Sequence, residues 1–426
     1  MRIPLASRRS MTVIVLVVIG AIFAAGCTSN VQTSTQARNV TIGALLPLTG
    51  DAASVGTNVN ATIDAAATDV NNYFAATNAS VRVQVEVKDT GTTPEGALAA
   101  IQALRADGVT AVVGPYSSAE LKAIAPYADQ NGMVLVSYGS SVSSLGVERT
   151  NVFRLVPDDS HQGPALATLM QERGVKVLIA FVRNDVYGNG LVNVTKAAFE
   201  GQGGVVTETA TFLPDTTNFS SALDSVRPRL SQVVATYPAG SVGVLFIGFE
   251  NNTLPALIAA GSDPQWSTIP WYGVAATPIN TILANETAAQ AAVRLNYTAV
   301  QQMEGQGASY DNLTQNAGVQ RTVQTPYGSF AYDATWIIAR ALAQTNTQTA
   351  TALRDAIPRI ASSYDGITGN TTLNAAGDRA YANYDFWTIQ SENGSYVKVK
   401  TAQFRTDPVT GATVMQTSGA STAASP

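Results

Sequence analysis

The 426-residue chain is poor in the residues that carry chemistry. It has one histidine, His161, and one cysteine, Cys27. A lone cysteine excludes an internal disulfide and a redox pair. Any Ser-His-Asp set would have to use His161, and no serine sits in a Gly-x-Ser-x-Gly elbow. Metal centres draw on histidine, cysteine or clustered carboxylates, and the only adjacent acidic pair is Asp158-Asp159. His161 follows that pair at the start of a predicted helix, where it reads as a solvated helix-start residue. There is no P-loop, and no Gly-x-Gly-x-x-Gly follows the first strand-like run. No enzyme, cofactor or metal is therefore expected. Charged residues make up only 13%, the net charge is −5, and no Lys/Arg cluster exists, which argues against a nucleic-acid partner.

The N-terminus is more informative. Arg2, Arg8 and Arg9 precede an apolar run, Met11 to Ala25, broken only by Thr12 and Gly20. That run is short for a membrane span, which needs about 20 residues. The layout is that of a secretory signal. Its ending, Ala24-Ala25-Gly26-Cys27, resembles a lipobox, after which the cysteine becomes the lipid-modified N-terminus. Residues 1–27 are thus expected to be signal peptide and lipobox, and 28–39 a polar spacer. An uncleaved signal anchor with Cys27 incidental is the alternative. The 400 residues after position 26 are too many for one hydrophobic core and suit two lobes. Eleven Asn-x-Ser/Thr sequons start among the 25 asparagines, where chance gives about 4 or 5. The excess fits a glycosylated exterior protein, better at an archaeal surface than in a bacterial periplasm; Asn/Thr-rich composition alone is the alternative.

From Val40 on, strand-like and helix-like runs alternate. Val40 to Pro47 reads as a buried strand, and Ser54 to Phe74 as a helix with Val55, Val59, Ile63, Ala67, Val70 and Phe74 on one face. Val81, Val83, Val85 and Val87 alternate with polar residues, the period of a half-wet strand. Thr93-Pro94 opens a helix, Ala111 to Gly114 is a strand, Ser118 to Gln130 a helix and Met133 to Ser137 a strand. The pattern restarts after Pro157 and runs through strands at 176–182, 205–212, 242–247 and 268–274 with helices between them. Residues 280–316 are polar and irregular, 327–345 and 350–360 are helical, and 365–404 is β-rich. Residues 405–426 are expected to be a disordered Ser/Thr/Ala tail. The expected fold class is α/β, two doubly wound parallel-sheet lobes.

Ligands of open parallel sheets sit beyond the carboxyl ends of strands. Two serine clusters follow consecutive strands: Ser117 and Ser118 after one, then Gly139, Ser140 and Ser141 after the next. Hydroxyls and backbone N–H groups at helix starts can hold a carboxylate without Arg or Lys; plain helix capping is the alternative. Tyr187, Phe249 with Glu250, and Tyr272 lie at strand ends of the other half, beside glycines, where aromatics can line a cleft.

Ile42 to Gly50, Val112-Val113-Gly114-Pro115, Tyr187-Gly188-Asn189-Gly190 and Phe219-Ser220-Ser221-Ala222-Leu223 resemble, in order and spacing, the type 1 periplasmic binding proteins. Their nearest branch is the leucine/isoleucine/valine receptors of ABC importers. The resemblance covers about Val40 to Phe404. It implies two Rossmann-like lobes joined by a three-crossover hinge, 40–156 with 279–364 and 157–278 with 365–404. It implies closure on a small ligand, ABC permease subunits as partners, and a lipid-anchored place outside the cytoplasmic membrane. Ser118, Gly139 and Ser141 match positions that hold the ligand's carboxylate, and Tyr187 and Phe249 match closing aromatics. Tyr272 stands where such receptors often have the acid that binds the ligand's ammonium; Glu250 is a candidate substitute. The ligand is accordingly an amino acid, an amide or a small carboxylate. An extracellular amide- or urea-type sensor of the same fold is the alternative.

Overall fold

The computed structural model describes residues 37–145, 151–238, 240–303, 305–322, 324–406 and 413–417. The expected signal peptide, Cys27 and nearly all of the spacer lie outside the described residues. The first sheet holds β1 (Arg38–Leu46), β2 (Val81–Asp89), β3 (Ala111–Val113), β4 (Val134–Ser137) and β5 (Val152–Arg154) in the order β2-β1-β3-β4-β5. β1, β3, β4 and β5 run parallel. Between them lie α1 (Ala53–Ala76), α2 (Pro94–Ala106) and α3 (Ser118–Gln130). β2 is the edge strand; of the four valines that the alternation puts on one face, Val81 and Val83 are buried, and Val85 and Val87 are half-buried.

The chain then crosses into α4 (Asp159–Glu172), β6 (Val177–Arg183), α5 (Val186–Gly201), β7 (Val205–Phe212), α6 (Ser220–Thr236), β8 (Val242–Ile247), α7 (Glu250–Ser262) and β9 (Trp271–Gly273). α8 (Ile279–Leu283), α9 (Glu286–Arg294) and β10 (Thr298–Gln302) follow. After α10 (Ala308–Gln315) and α11 (Ala317–Gln320), the chain returns to the first lobe as α12 (Pro326–Thr345) and α13 (Ala350–Ser363). α12 is buried on nearly every face because it packs between α1 and α13. The short β11 (Asp365–Gly366) and β12 (Gly369–Asn370) lead to β13 (Asn383–Glu392), β14 (Ser395–Thr406) and β15 (Thr413–Thr417). The second sheet reads β15-β14-β13-β10-β9-β8-β6-β7. β6, between β8 and the edge strand β7, is buried along all seven residues, Val-Leu-Ile-Ala-Phe-Val-Arg, as a strand covered on both faces must be.

Two expectations need correction. Residues 279–302 were assigned to the first lobe, but β10 pairs in parallel with β9, and α9 packs on α7, so this stretch belongs to the second sheet. Its five-residue strand is too short, and Gln301-Gln302 too polar, to stand out in the sequence. The disordered tail was expected to begin at 405. Instead Arg405 and Thr406 complete β14, and Thr413–Thr417 pairs antiparallel with it, because the edge of β14 offers a row of free backbone groups.

Three crossovers link the lobes: 155–158, 303–325 and 364–382. They are knitted together. Arg154, buried at the end of β5, makes a bidentate pair with Asp378 on the third crossover, at 2.6 and 2.8 Å. Arg379 donates to Leu155 O at 3.2 Å and to Thr368 O at 2.6 Å. Gln306 N of the second crossover donates to Ile367 O of the third at 2.8 Å.

Candidate functional site

The carboxyl ends of the two sheets face each other, and the lobes touch there. Tyr116, just after β3, is buried against rings of both lobes: Phe249 at 5.6 Å and Tyr327 at 5.0 Å between centroids. Tyr187 lies 5.7 Å from Phe249. The Tyr116 and Tyr327 hydroxyls donate to Ala276 O and Ala275 O beyond β9, at 3.3 and 3.1 Å. Val142 of the first lobe seats on Gly190 of α5; a Cβ there would lie 2.0 Å from the valine's Cγ2, so only glycine permits this approach. At the rim, Arg183 reaches Asp51 across the cleft at 2.7 Å while holding Asp185 at 2.6 Å and stacking 4.3 Å over Phe249.

Each predicted site residue has a definite place. Ser117 is the N-cap of α3, in a capping box with Glu120: its Oγ accepts from Glu120 N at 3.2 Å, and its N–H donates to the Glu120 carboxylate at 2.7 Å. Ser140 Oγ donates to Ser118 Oγ at 3.1 Å, and Val142 N donates to the same oxygen at 3.3 Å. The two serine loops are thus brought together, but these hydroxyls bind each other and the backbone. Gly139 lies where a Cβ would meet the Tyr116 ring at 2.5 Å. Ser141 is buried, and its carbonyl accepts from Asp159 N at 2.7 Å. Tyr187 and Phe249 are buried where the lobes meet. Glu250 sits at the rim. Its carboxylate accepts from Ser54 N at 3.2 Å and from the Ser54 hydroxyl, which ties it to the start of α1 rather than to the cleft interior.

Tyr272 is misplaced by the sequence reading. On β9 its side chain points opposite to Trp271 and Gly273, and its ring lies against Gly243, toward the amino ends of the strands. It stacks near Arg173 (5.9 Å) and lines a different groove, of about 650 Å³, with Arg173, Arg294, Thr388 and Thr401. The cleft meets the backbone of Ala275 and Ala276 instead.

The acid of the cleft is Asp159. It is the first residue of α4 and fully buried, while its neighbour Asp158 provides the N-cap by accepting from Ser160 N at 2.9 Å. One Asp159 oxygen accepts from Gln162 Nε2 at 2.8 Å, and Gln162 in turn accepts from Ala275 N at 2.9 Å. Its Oδ2 has no partner among the described residues. Burial pushes the carboxyl up to about 7, against the opposing pull of the Ser141 hydroxyl, the Gln162 amide and the Arg154 charge. Its charge is felt by the buried hydroxyls of Tyr187, Tyr327 and Tyr384, which places it among rings from both lobes. The Tyr384 hydroxyl also lacks a hydrogen-bond partner among the described residues, and the amide of Gln302, its register partner on β10, bears on the Tyr327 hydroxyl. Sequence reading missed all three. The adjacent Asp158-Asp159 was visible, but which of the two turns inward depends on the helix's phase. His161, beside them, is half-buried rather than solvated, and burial lowers its pKa.

The family model of the periplasmic binding proteins matches residues 39–395. The chain belongs to the periplasmic binding protein family. An uncharacterized protein of Methanocaldococcus jannaschii is 26% identical over 407 residues, 90% of this chain and 96% of that one. A Leu/Ile/Val-binding protein of Rhizobium johnstonii is 25% identical over 46% of this chain, a match that spans 53% of the relative's length. Among solved structures, the isoleucine-bound branched-chain amino acid substrate-binding protein of Streptococcus pneumoniae has a TM-score of 0.67 at 19% identity, covering 85% of this chain and all of that one. The expected fold, two doubly wound lobes of type 1, is the observed one. As a periplasmic binding protein, the chain is exported and works outside the cytoplasm, in a family of solute-binding proteins rather than enzymes.

Proposed function

We propose that this periplasmic binding protein is the lipid-anchored solute receptor of an ABC importer, closing on an amino acid or a related small carboxylate or amide. The anchor is Cys27, which would hold the receptor beside its permease. One observation carries the ligand class: two buried polar groups with no hydrogen-bond partner among the described residues, Asp159 Oδ2 and the Tyr384 hydroxyl, with the Gln302 amide beside Tyr384 and Tyr327 in the same aromatic cleft. Buried polar groups are ordinarily satisfied. A carboxylate oxygen accepts from an ammonium or an amide N–H. A phenol and a carboxamide donate to a carboxylate or carbonyl. Tyr116, Tyr187 and Phe249 offer apolar faces to the ligand's remainder. The Leu/Ile/Val-binding relative and the isoleucine-bound neighbour point to the same class.

The test is a thermal-shift screen of stripped protein against L-amino acids, their amides and the matching carboxylates without the amine. The reading predicts the largest rise in Tm for a compound with both groups. Uniformly flat melting curves would contradict it. Stabilisation by simple amides or urea alone would favour the amide-sensor alternative.

A further inference from the structure

We propose that the exported protein carries N-linked glycans on its exposed sequons, and that Asn60 and Asn251 stay bare. The proposal rests on the reading of the chain as an exported surface protein and adds to it where the surface is modified.

The structure supplies a comparison within one chain. Among sequon asparagines, all but Asn60 and Asn251 are exposed, and those two are half-buried. Asparagines outside sequons are mixed: Asn72, Asn184, Asn189, Asn316, Asn346 and Asn374 are exposed, Asn71, Asn131, Asn280 and Asn383 are half-buried, and Asn58, Asn151 and Asn252 are buried. Nine of the eleven sequon asparagines are exposed, against six of the thirteen described asparagines outside sequons, and no sequon asparagine is fully buried. Asn78, Asn296 and Asn393 also adopt left-handed backbone, φ 54°, 45° and 51°, at tight turns after α1, after α9 and between β13 and β14. Such turns present the side chain to solvent and tolerate a bulky substituent. Asn251 is the counter-example: its Nδ2 donates to Pro214 O at 3.0 Å, beside the Glu250 contact at the cleft rim.

The modification needs a polyprenyl phosphate- or pyrophosphate-linked oligosaccharide and a transferase outside the membrane. The amide nitrogen attacks the anomeric carbon, a carbon–nitrogen bond forms, and the carbon–oxygen bond to phosphate breaks. The lipid phosphate leaves with the electron pair, and the amide proton passes to a base of the transferase.

The test is mass spectrometry of the protein purified from membranes of the cells that make it, intact and as peptides. Expected are glycopeptides at Asn78, Asn296 and Asn393, unmodified peptides at Asn60 and Asn251, and loss of one glycan mass in Asn393→Gln with solute binding unchanged. Bare peptides at all three turns, in protein acylated at Cys27, would overturn this proposal alone. Bare peptides together with an intact leader would overturn the export reading as well. Glycans at Asn60 and Asn251 as abundant as at the turns would remove the role assigned to exposure.

Discussion

Asp159 concentrates the account at the scale of single residues. A buried carboxyl lifted to about 7 is half-ionised at neutral pH, and a bound ammonium would stabilise the ionised form. Affinity for an amine-bearing solute should therefore fall as pH drops below 7, approaching tenfold per unit, and level off above about 8. Calorimetry between pH 5.5 and 8 checks this. The folded pKa lies above the unfolded value, so this group favours folding below about 4 and loses that contribution as pH rises through 7. Asp159→Asn should flatten that slope in the empty protein, read as the difference in urea midpoint between pH 5 and pH 8. Tyr272 and Glu250 show the limit of sequence reading at this scale. Strand alternation turned Tyr272 to the far groove, and only the approach of α1 reveals what Glu250 holds.

At the scale of elements, α1 begins without a cap of its own: its N-cap, Ala52, makes no side-chain hydrogen bond. Glu250 supplies the missing acceptor from the other lobe, at Ser54 N, where the helix dipole favours a negative charge. The first helix of one lobe is thus completed only when the lobes meet. Arg183–Asp51 adds a second tie at the same rim. Glu250→Gln should leave the fold intact and weaken ligand binding about 3- to 10-fold, an effect of ~1 kcal/mol, with small-angle scattering showing a more open ligand-free ensemble. Most elements were legible in the sequence because their apolar periodicity is strong, as in β2 and α1. β5, β10 and β15 were not: they are short, and their place is fixed by neighbouring strands rather than by their own pattern.

For the whole molecule, the two lobes and their crossover hinge follow from alternating strand and helix runs, while the boundary between lobes follows from pairing that no local pattern encodes. The hinge is held by the buried Arg154–Asp378 pair. Removing one partner strands a buried charge, so Asp378→Ala should cost about 3–5 kcal/mol in urea unfolding, with the Arg154 guanidinium left only the carbonyls of Ser140 and Val142. Such a tie lets the lobes move about the crossovers without separating. The central claim is that the cleft closes on a small solute held at Asp159. Titration calorimetry of wild type and Asp159→Asn, with the best amine-bearing compound and its amine-free counterpart, tests it most directly. The account predicts that the variant loses about 100-fold or more in affinity for the first and little for the second. Equal affinities of both proteins for both compounds would contradict it.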